Sequence, residues 1–206
     1  MFCLLIKGGK TVWRFLFLGV IPLFLGGCIT TAPTHTNNAC SVLEQKDGFF
    51  ENWRKSAKKA EARYGIPMPI ILATIRMESN FRHNARPSRK KLLGFIPWKR
   101  RSTAYGYSQA LDGTWETYVR STKRSSARRT NFADAADFVA WYHYQSVLRN
   151  GVNRNDAHNL YLNYYMGHGA YARNRSAPSA AIANTAQRME RMAILYDQQL
   201  RECGKR

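Results

Sequence analysis

Apolar residues along this 206-residue chain recur in steps of three and four, and no stretch alternates with period two for long enough to argue a sheet. That periodicity gathers apolar side chains on one face of successive helices, so the folded part is expected to be all-α. Phe49, Phe50, Trp53, Ala57, Ala60 and Tyr64 follow helical spacing until Gly65 and Pro67 end the pattern. A second helix begins around Pro67 and Pro69 and carries Ile71, Leu72, Ile75, Glu78 and Ser79 on one face. Phe138, Trp141, Gln145 and Leu148 mark another, Leu160 through Met166 a fourth. Ile182, Ala186, Met189, Ala193, Tyr196 and Leu200 mark the last and most regular. There is no internal repeat, and a hydrophobic content of 45% suits one modest core.

The first residues bear on the compartment. Lys7, Lys10 and Arg14 stand with no acid ahead of an apolar stretch at residues 15–25, followed by Gly26, Gly27 and Cys28. This is the layout of a secretory signal peptide, and the stretch is short for a membrane span. Leu25-Gly26-Gly27-Cys28 resembles a bacterial lipobox, which implies removal of residues 1–27 and a lipid on Cys28. By the same resemblance, Ile29 rather than Asp in the next position goes with sorting to the outer membrane, facing the periplasm. Residues 28–46, rich in Thr, Asn and Pro, suit a tether, which leaves 47–206 as the domain.

Charge and cysteines fit an exported protein. Lys and Arg number 32 against 13 Asp and Glu, a net charge of +19 that falls to +16 when Lys7, Lys10 and Arg14 leave with the signal. The chain has no zinc-finger or RNA-binding signature, so the acidic partner is expected to be cell-wall polymer or membrane lipid rather than nucleic acid. With Cys3 removed and Cys28 acylated, Cys40 and Cys203 remain near the two ends of the domain. In an oxidising compartment they would form a disulfide; the alternative is two free thiols.

One segment breaks the helical pattern. No acid occurs between Asn80 and Leu111, where Arg82, Arg86, Arg89, Lys90, Lys91, Lys99, Arg100 and Arg101 all lie. Pro87 and Pro97 exclude a single long helix, so residues 86–101 read as an exposed basic loop. Its apolar tip, Leu92-Leu93-Gly94-Phe95-Ile96-Pro97-Trp98, either protrudes or folds back onto the core. The loop is a candidate contact for a protein partner.

A carboxylate at the end of an apolar helical face is costly to bury ionised, so Glu78 should have a raised pKa and serve as a general acid near neutral pH. Its company points the same way. Met77-Glu78-Ser79-Asn80-Phe81 is followed by Ala104-Tyr105-Gly106-Tyr107-Ser108-Gln109-Ala110 and later by Asn163-Tyr164-Tyr165-Met166-Gly167. In that order these resemble the motifs of the lytic transglycosylases related to goose-type lysozyme: Glu-Ser at a helix end, Gly-x-x-Gln, then Ala-Tyr-Asn-x-Gly.

The resemblance spans roughly residues 48–200 and implies a lysozyme-like domain that cleaves the MurNAc-GlcNAc β-1,4 bond of peptidoglycan, leaving 1,6-anhydroMurNAc ends. It implies Glu78 as catalytic acid and base, with Ser79, Tyr107, Ser108, Gln109 and Tyr164 on the substrate side. Two departures stand out. Tyr165 occupies the motif asparagine position, and the basic insertion leaves Ser88 and Ser102 competing for the role of a substrate-side serine. The Tyr165 departure also fits a different reading, a non-catalytic peptidoglycan-binding accessory lipoprotein of a secretion or division machine. No metal-ligand spacing joins His83, His143, His158 or His168 to other ligands, and neither a metal nor a cofactor is expected.

Overall fold

The computed structural model describes residues 32–47, 51–93, 96–174 and 178–204. The proposed signal segment, the lipidation candidate Cys28, and Phe49 and Phe50 lie outside them. Among the described residues there are eight helices: α1 (Ala39–Leu43), α2 (Trp53–Tyr64), α3 (Met68–Ser79), α4 (Asp112–Thr122), α5 (Phe132–Asn150), α6 (Ala157–Met166), α7 (His168–Asn174) and α8 (Ala180–Cys203). Helix α3 is the axis. Every residue from Ile70 to Ile75 is buried, and α2, α5 and α8 pack around it. A helix apolar on all sides can only sit inside a fold, which is why the amphipathic helices surround this one.

The expected boundaries of α2 and α5 rest on glycines in the left-handed conformation, Gly65 at φ 67° and Gly151 at φ 65°. Trp53, at the start of α2, stacks on Phe132, at the start of α5, with ring centroids 3.9 Å apart. The Tyr107 ring meets both edge-on at 5.6 and 5.8 Å. Farther along, Asp137 of α5 is buried beneath the ends of α2 and α4. Its carboxylate accepts from the Tyr118 hydroxyl at 2.8 Å and the Tyr64 hydroxyl at 3.3 Å, and pairs with Arg63 at 3.1 Å and Arg124 at 3.4 Å. Burial and the Asp137 charge hold the Tyr118 hydroxyl protonated far above the usual phenol range, so it remains a donor.

Two expectations need correction. The tether of residues 28–46 gives way to folded structure before its end. Asn38 Oδ1 caps α1 by accepting from Ser41 N at 3.0 Å, and Ala39, Val42 and Leu43 are buried against the body. Ala39 N donates to Gln199 Oε1 at 2.8 Å, the Tyr196 hydroxyl donates to Thr36 O, and Cys40 is disulfide-bonded to Cys203. Five residues show too little periodicity to be read as a helix; α8 and the disulfide hold them in place.

The second correction concerns residues 86–101, which form a β-hairpin rather than an irregular loop. Strands β3 (Arg89–Leu92) and β4 (Ile96–Arg100) pair antiparallel, with Arg89 opposite Arg100 and Leu92 opposite Ile96. They pair with each other and with no other element to a comparable extent, and Leu93 at the turn is 76% exposed. Gly94 and Phe95, at the centre of the apolar tip, lie outside the described residues. Two strands of two residues each, β1 (Lys46–Asp47) and β2 (Glu51–Asn52), pair antiparallel ahead of α2, and the all-α architecture otherwise holds.

The disulfide closes a sequence separation of 163 residues, for which chain entropy alone gives about 5 kcal/mol. Replacing Cys40 and Cys203 together by Ser should lower the unfolding free energy by roughly 2 to 5 kcal/mol in denaturant titration, and reductant should reproduce the loss in the native chain. Asp137→Ala should be destabilising by about 1 to 3 kcal/mol, because it strands the buried Tyr118 hydroxyl, while Arg124 keeps its pair with Asp134. Asp137→Asn, which keeps the shape and one acceptor, should cost less in the same titration.

Candidate active site

Glu78 is the next-to-last residue of α3. Helix α3 starts with proline in its first turn and ends abruptly. Asn80 and Phe81 both adopt left-handed backbone, φ 53° and 57°, and Asn80 N returns to Arg76 O at 3.0 Å. Asparagine tolerates that region; phenylalanine there costs roughly 1–2 kcal/mol. Burial of the Phe81 ring against Trp53, 5.9 Å between centroids, offsets the strain and fixes the reversal immediately after Glu78.

The Glu78 carboxyl keeps only partial access to solvent and is densely surrounded by protein. Tyr161 of α6 donates its hydroxyl to Glu78 Oε1 at 3.0 Å. Burial pushes the carboxyl up to about 7, and the Tyr161 hydrogen bond opposes this only in part. Neither a cation nor a second carboxylate figures among the causes of that shift. The candidate acids downstream are occupied or remote in effect: Asp112 pairs with Arg129 at 2.7 Å, and Glu116 is exposed. Behind the tyrosines, His143 of α5 is fully buried and held neutral, burial together with the nearby His168 taking its pKa down to about 3.

Tyr164 lies one helical turn from Tyr161, their rings nearly parallel at 6.5 Å, and its hydroxyl donates to Ser108 O at 2.6 Å. That bond ties α6 to the turn made by the second motif. Gly106 has φ 76°, and a Cβ there would meet Arg129 O at 2.1 Å, so only glycine fits. Gln109, also left-handed at φ 50°, donates Nε2 to Gly106 O at 2.8 Å and to Ala85 O at 3.0 Å. Tyr105 sits under Arg86, 3.8 Å from ring centroid to guanidinium, which binds the neck of the hairpin to the same turn.

The structure divides the residues expected on the substrate side. Glu78 and Tyr164 come together through Tyr161 and α6. Ser79 is buried, and its hydroxyl donates back to Ile75 O at 3.2 Å, so it serves the helix end and not a ligand. Tyr107 is fully buried in the cluster with Trp53 and Phe132, a core role in place of a substrate contact. Ser108 is also buried and contributes its carbonyl to Tyr164. Gln109 is half-buried, with its amide nitrogen engaged in holding the turn. Tyr165 is 57% exposed. Ser88 and Ser102 flank the two ends of the hairpin at its neck, so the insertion places both beside the same turn.

Tyr161 was absent from the sequence-derived candidates. Its signal was position: it stands three residues before Tyr164, hence on the same face of α6. Among the described residues no group of three His, Cys, Asp or Glu is placed to hold a metal ion.

No curated protein matches the chain. The family model described as the transglycosylase SLT domain matches residues 16–203, a span that includes α3 with Glu78, the Gly106 turn and α6 with its tyrosines. The chain belongs to the transglycosylase SLT domain family.

Proposed function

We propose that the protein is a peptidoglycan lytic transglycosylase that cleaves the MurNAc-GlcNAc β-1,4 bond and leaves 1,6-anhydroMurNAc ends. The observation that carries this reading is a single carboxyl, Glu78, raised by burial to about 7, so that a proton is available near neutral pH, with no second carboxylate acting on it. Most hydrolytic glycosidases use two carboxyl groups, one as acid and one as nucleophile or base. An intramolecular reaction needs one. Glu78 donates its proton to the glycosidic oxygen as the bond from muramyl C1 breaks, and the GlcNAc hydroxyl departs. The resulting carboxylate removes the proton from the muramyl 6-hydroxyl as O6 bonds to C1. Acid and base roles exchange on one group, the proton balance closes, and no water is consumed. The reacting hydroxyl belongs to the same sugar, so its proximity replaces an activated water.

Tyr161 suits both halves of the cycle. Its hydrogen bond steadies Glu78 once ionised, while burial keeps the resting carboxyl protonated. Residues 1–27 as a signal and Cys28 as the lipidated N-terminus complete the proposal, with the domain held at the outer membrane facing the periplasmic wall. The net charge of +16 left after removal of Lys7, Lys10 and Arg14 with the signal supports retention on an anionic envelope.

Incubated with purified sacculi, the protein should release muropeptides with anhydromuramyl ends, and Glu78→Gln should bind sacculi yet release none. Reducing ends detected by mass spectrometry would show hydrolysis instead. The pH profile of kcat/KM should fall as pH rises through about 7, where Glu78 loses the proton it must donate. Tyr161→Phe removes a donor that favours the carboxylate, so this limb should move to higher pH. A limb that stays in place or moves down would remove Tyr161 from the control of Glu78.

A further inference from the structure

The N-terminal segment is pinned to the body of the domain much closer to Cys28 than a tether of residues 28–46 allows. Pro33 is already buried. The Tyr196 hydroxyl donates to Thr36 O, Gln199 Nε2 donates to Asn37 O at 3.1 Å, and Arg76 Nη2 donates to Asn37 Oδ1 at 3.0 Å. Asn38 N closes a turn onto His35 O at 3.0 Å, and the disulfide from Cys40 to Cys203 follows. From residue 33 onward the chain is therefore part of the domain, held along α8 and the last turn of α3.

Backbone length then limits how far this end of the domain can stand from Cys28. Pro33 is the fifth residue after it, and five residues span at most about 18 Å when fully extended. A free tether reaching residue 46 would span about 60 Å.

The surface at this attachment has the composition of an interfacial helix, apolar side chains beside cations. Between Arg188 and Gln198 the exposed residues of α8 are Arg188, Arg191, Ile194, Leu195 and Gln198, a stripe with no acid in it. Ile194 is 53% exposed and Leu195 38%, two adjacent large apolar residues about one turn from Gln199. Leu195 and Arg191 line one hollow with Arg76, which holds Asn37, so the stripe and the attachment are contiguous. Of the acids on α8, Glu190 stands 3.8 Å from His158, Asp197 pairs with Arg201, and Glu202 is exposed in the last turn, beyond the stripe. Apolar side chains so placed leave water at a lipid headgroup boundary, where guanidinium groups also meet phosphates.

We propose that this stripe of α8 seats on the phospholipid surface in which Cys28 is anchored, with Ile194 and Leu195 at the boundary between headgroups and acyl chains and Arg188 and Arg191 on the phosphates. The seating rests on the lipidated Cys28 of the reading above and deepens it, because the short anchor then selects the face of the domain that meets the membrane. Glu78 lies two residues beyond Arg76 on α3, so the strands offered to its carboxyl are those that run close to the bilayer.

The test puts a tryptophan on the stripe. The lipidated chain carrying Leu195→Trp is reconstituted in vesicles of phosphatidylethanolamine and phosphatidylglycerol whose acyl chains are brominated near the headgroup, with Leu148→Trp for comparison. Both leucines are exposed, so the core is left alone. Arg149, next to Leu148, lines a hollow with Thr117 and His168, away from α8. Bromine should quench the emission added at position 195 and spare that added at 148. Equal quenching at the two positions, or none at 195, overturns the seating. Mass spectrometry of the purified chain reports separately whether Cys28 carries lipid. If it carries none, the anchor is what fails, and the surface is judged by partition of that unlipidated chain onto the same vesicles. Arg188→Gln/Arg191→Gln should then weaken partition by about thirtyfold, and unchanged partition overturns the surface.

Discussion

The carboxyl of Glu78 is set at the end of the most deeply buried helix of the molecule, and the rest of the site depends on the cost of ionising it there. Helix α3 is buried from Ile70 to Ile75, so the surrounding helices pack around it and carry its last turn only just to the surface. Asn80 and Phe81 turn the chain away at once. Glu78 is therefore enclosed by protein yet within reach of a ligand. The sign of the consequence for stability is fixed by linkage. A carboxyl raised to about 7 supports the fold most below its unfolded value near 4.5 and loses that support as pH rises through 7. The fold accepts a penalty on the alkaline side at the residue proposed to supply the chemistry.

Around this carboxyl the aromatic residues act as struts. Tyr161 addresses the carboxyl itself, and Tyr164 fixes α6 to the Gly106 turn. Tyr107, with Trp53 and Phe132, joins that turn to the first turns of α2 and α5. The three motifs recognised along the chain therefore serve different ends. One bears the buried carboxyl, one is scaffolding for the turn, and one positions the tyrosines.

Much of this was legible in the sequence because helical periodicity reports burial directly. Helices α2, α3, α5, α6 and α8 were readable from their apolar faces, and Gly65 and Gly151 stop two of them where a left-handed residue is required. The elements that escaped are those whose formation depends on a partner. Helix α1 is five residues held by the disulfide and Gln199. Helix α4 buries only Trp115 and Tyr118, and the β3–β4 hairpin pairs with itself. Periodicity also overreached: Leu148, assigned to the inner face of α5, is 60% exposed near the end of that helix. At the site, motif order pointed to Glu78, but it could not separate residues that face a ligand from those that build the turn. Ser79 and Tyr107 are buried and Gln109 holds the turn through its amide nitrogen, which only their hydrogen bonds and burial reveal.

The central claim is that burial alone, without a neighbouring charge, keeps Glu78 protonated near neutral pH. A titration of its carboxyl carbon by NMR in the free protein, with Glu78→Gln used to assign the signal, measures this directly. The account predicts a midpoint of about 7. A midpoint near 4.5, the ordinary value for a glutamate, would contradict it.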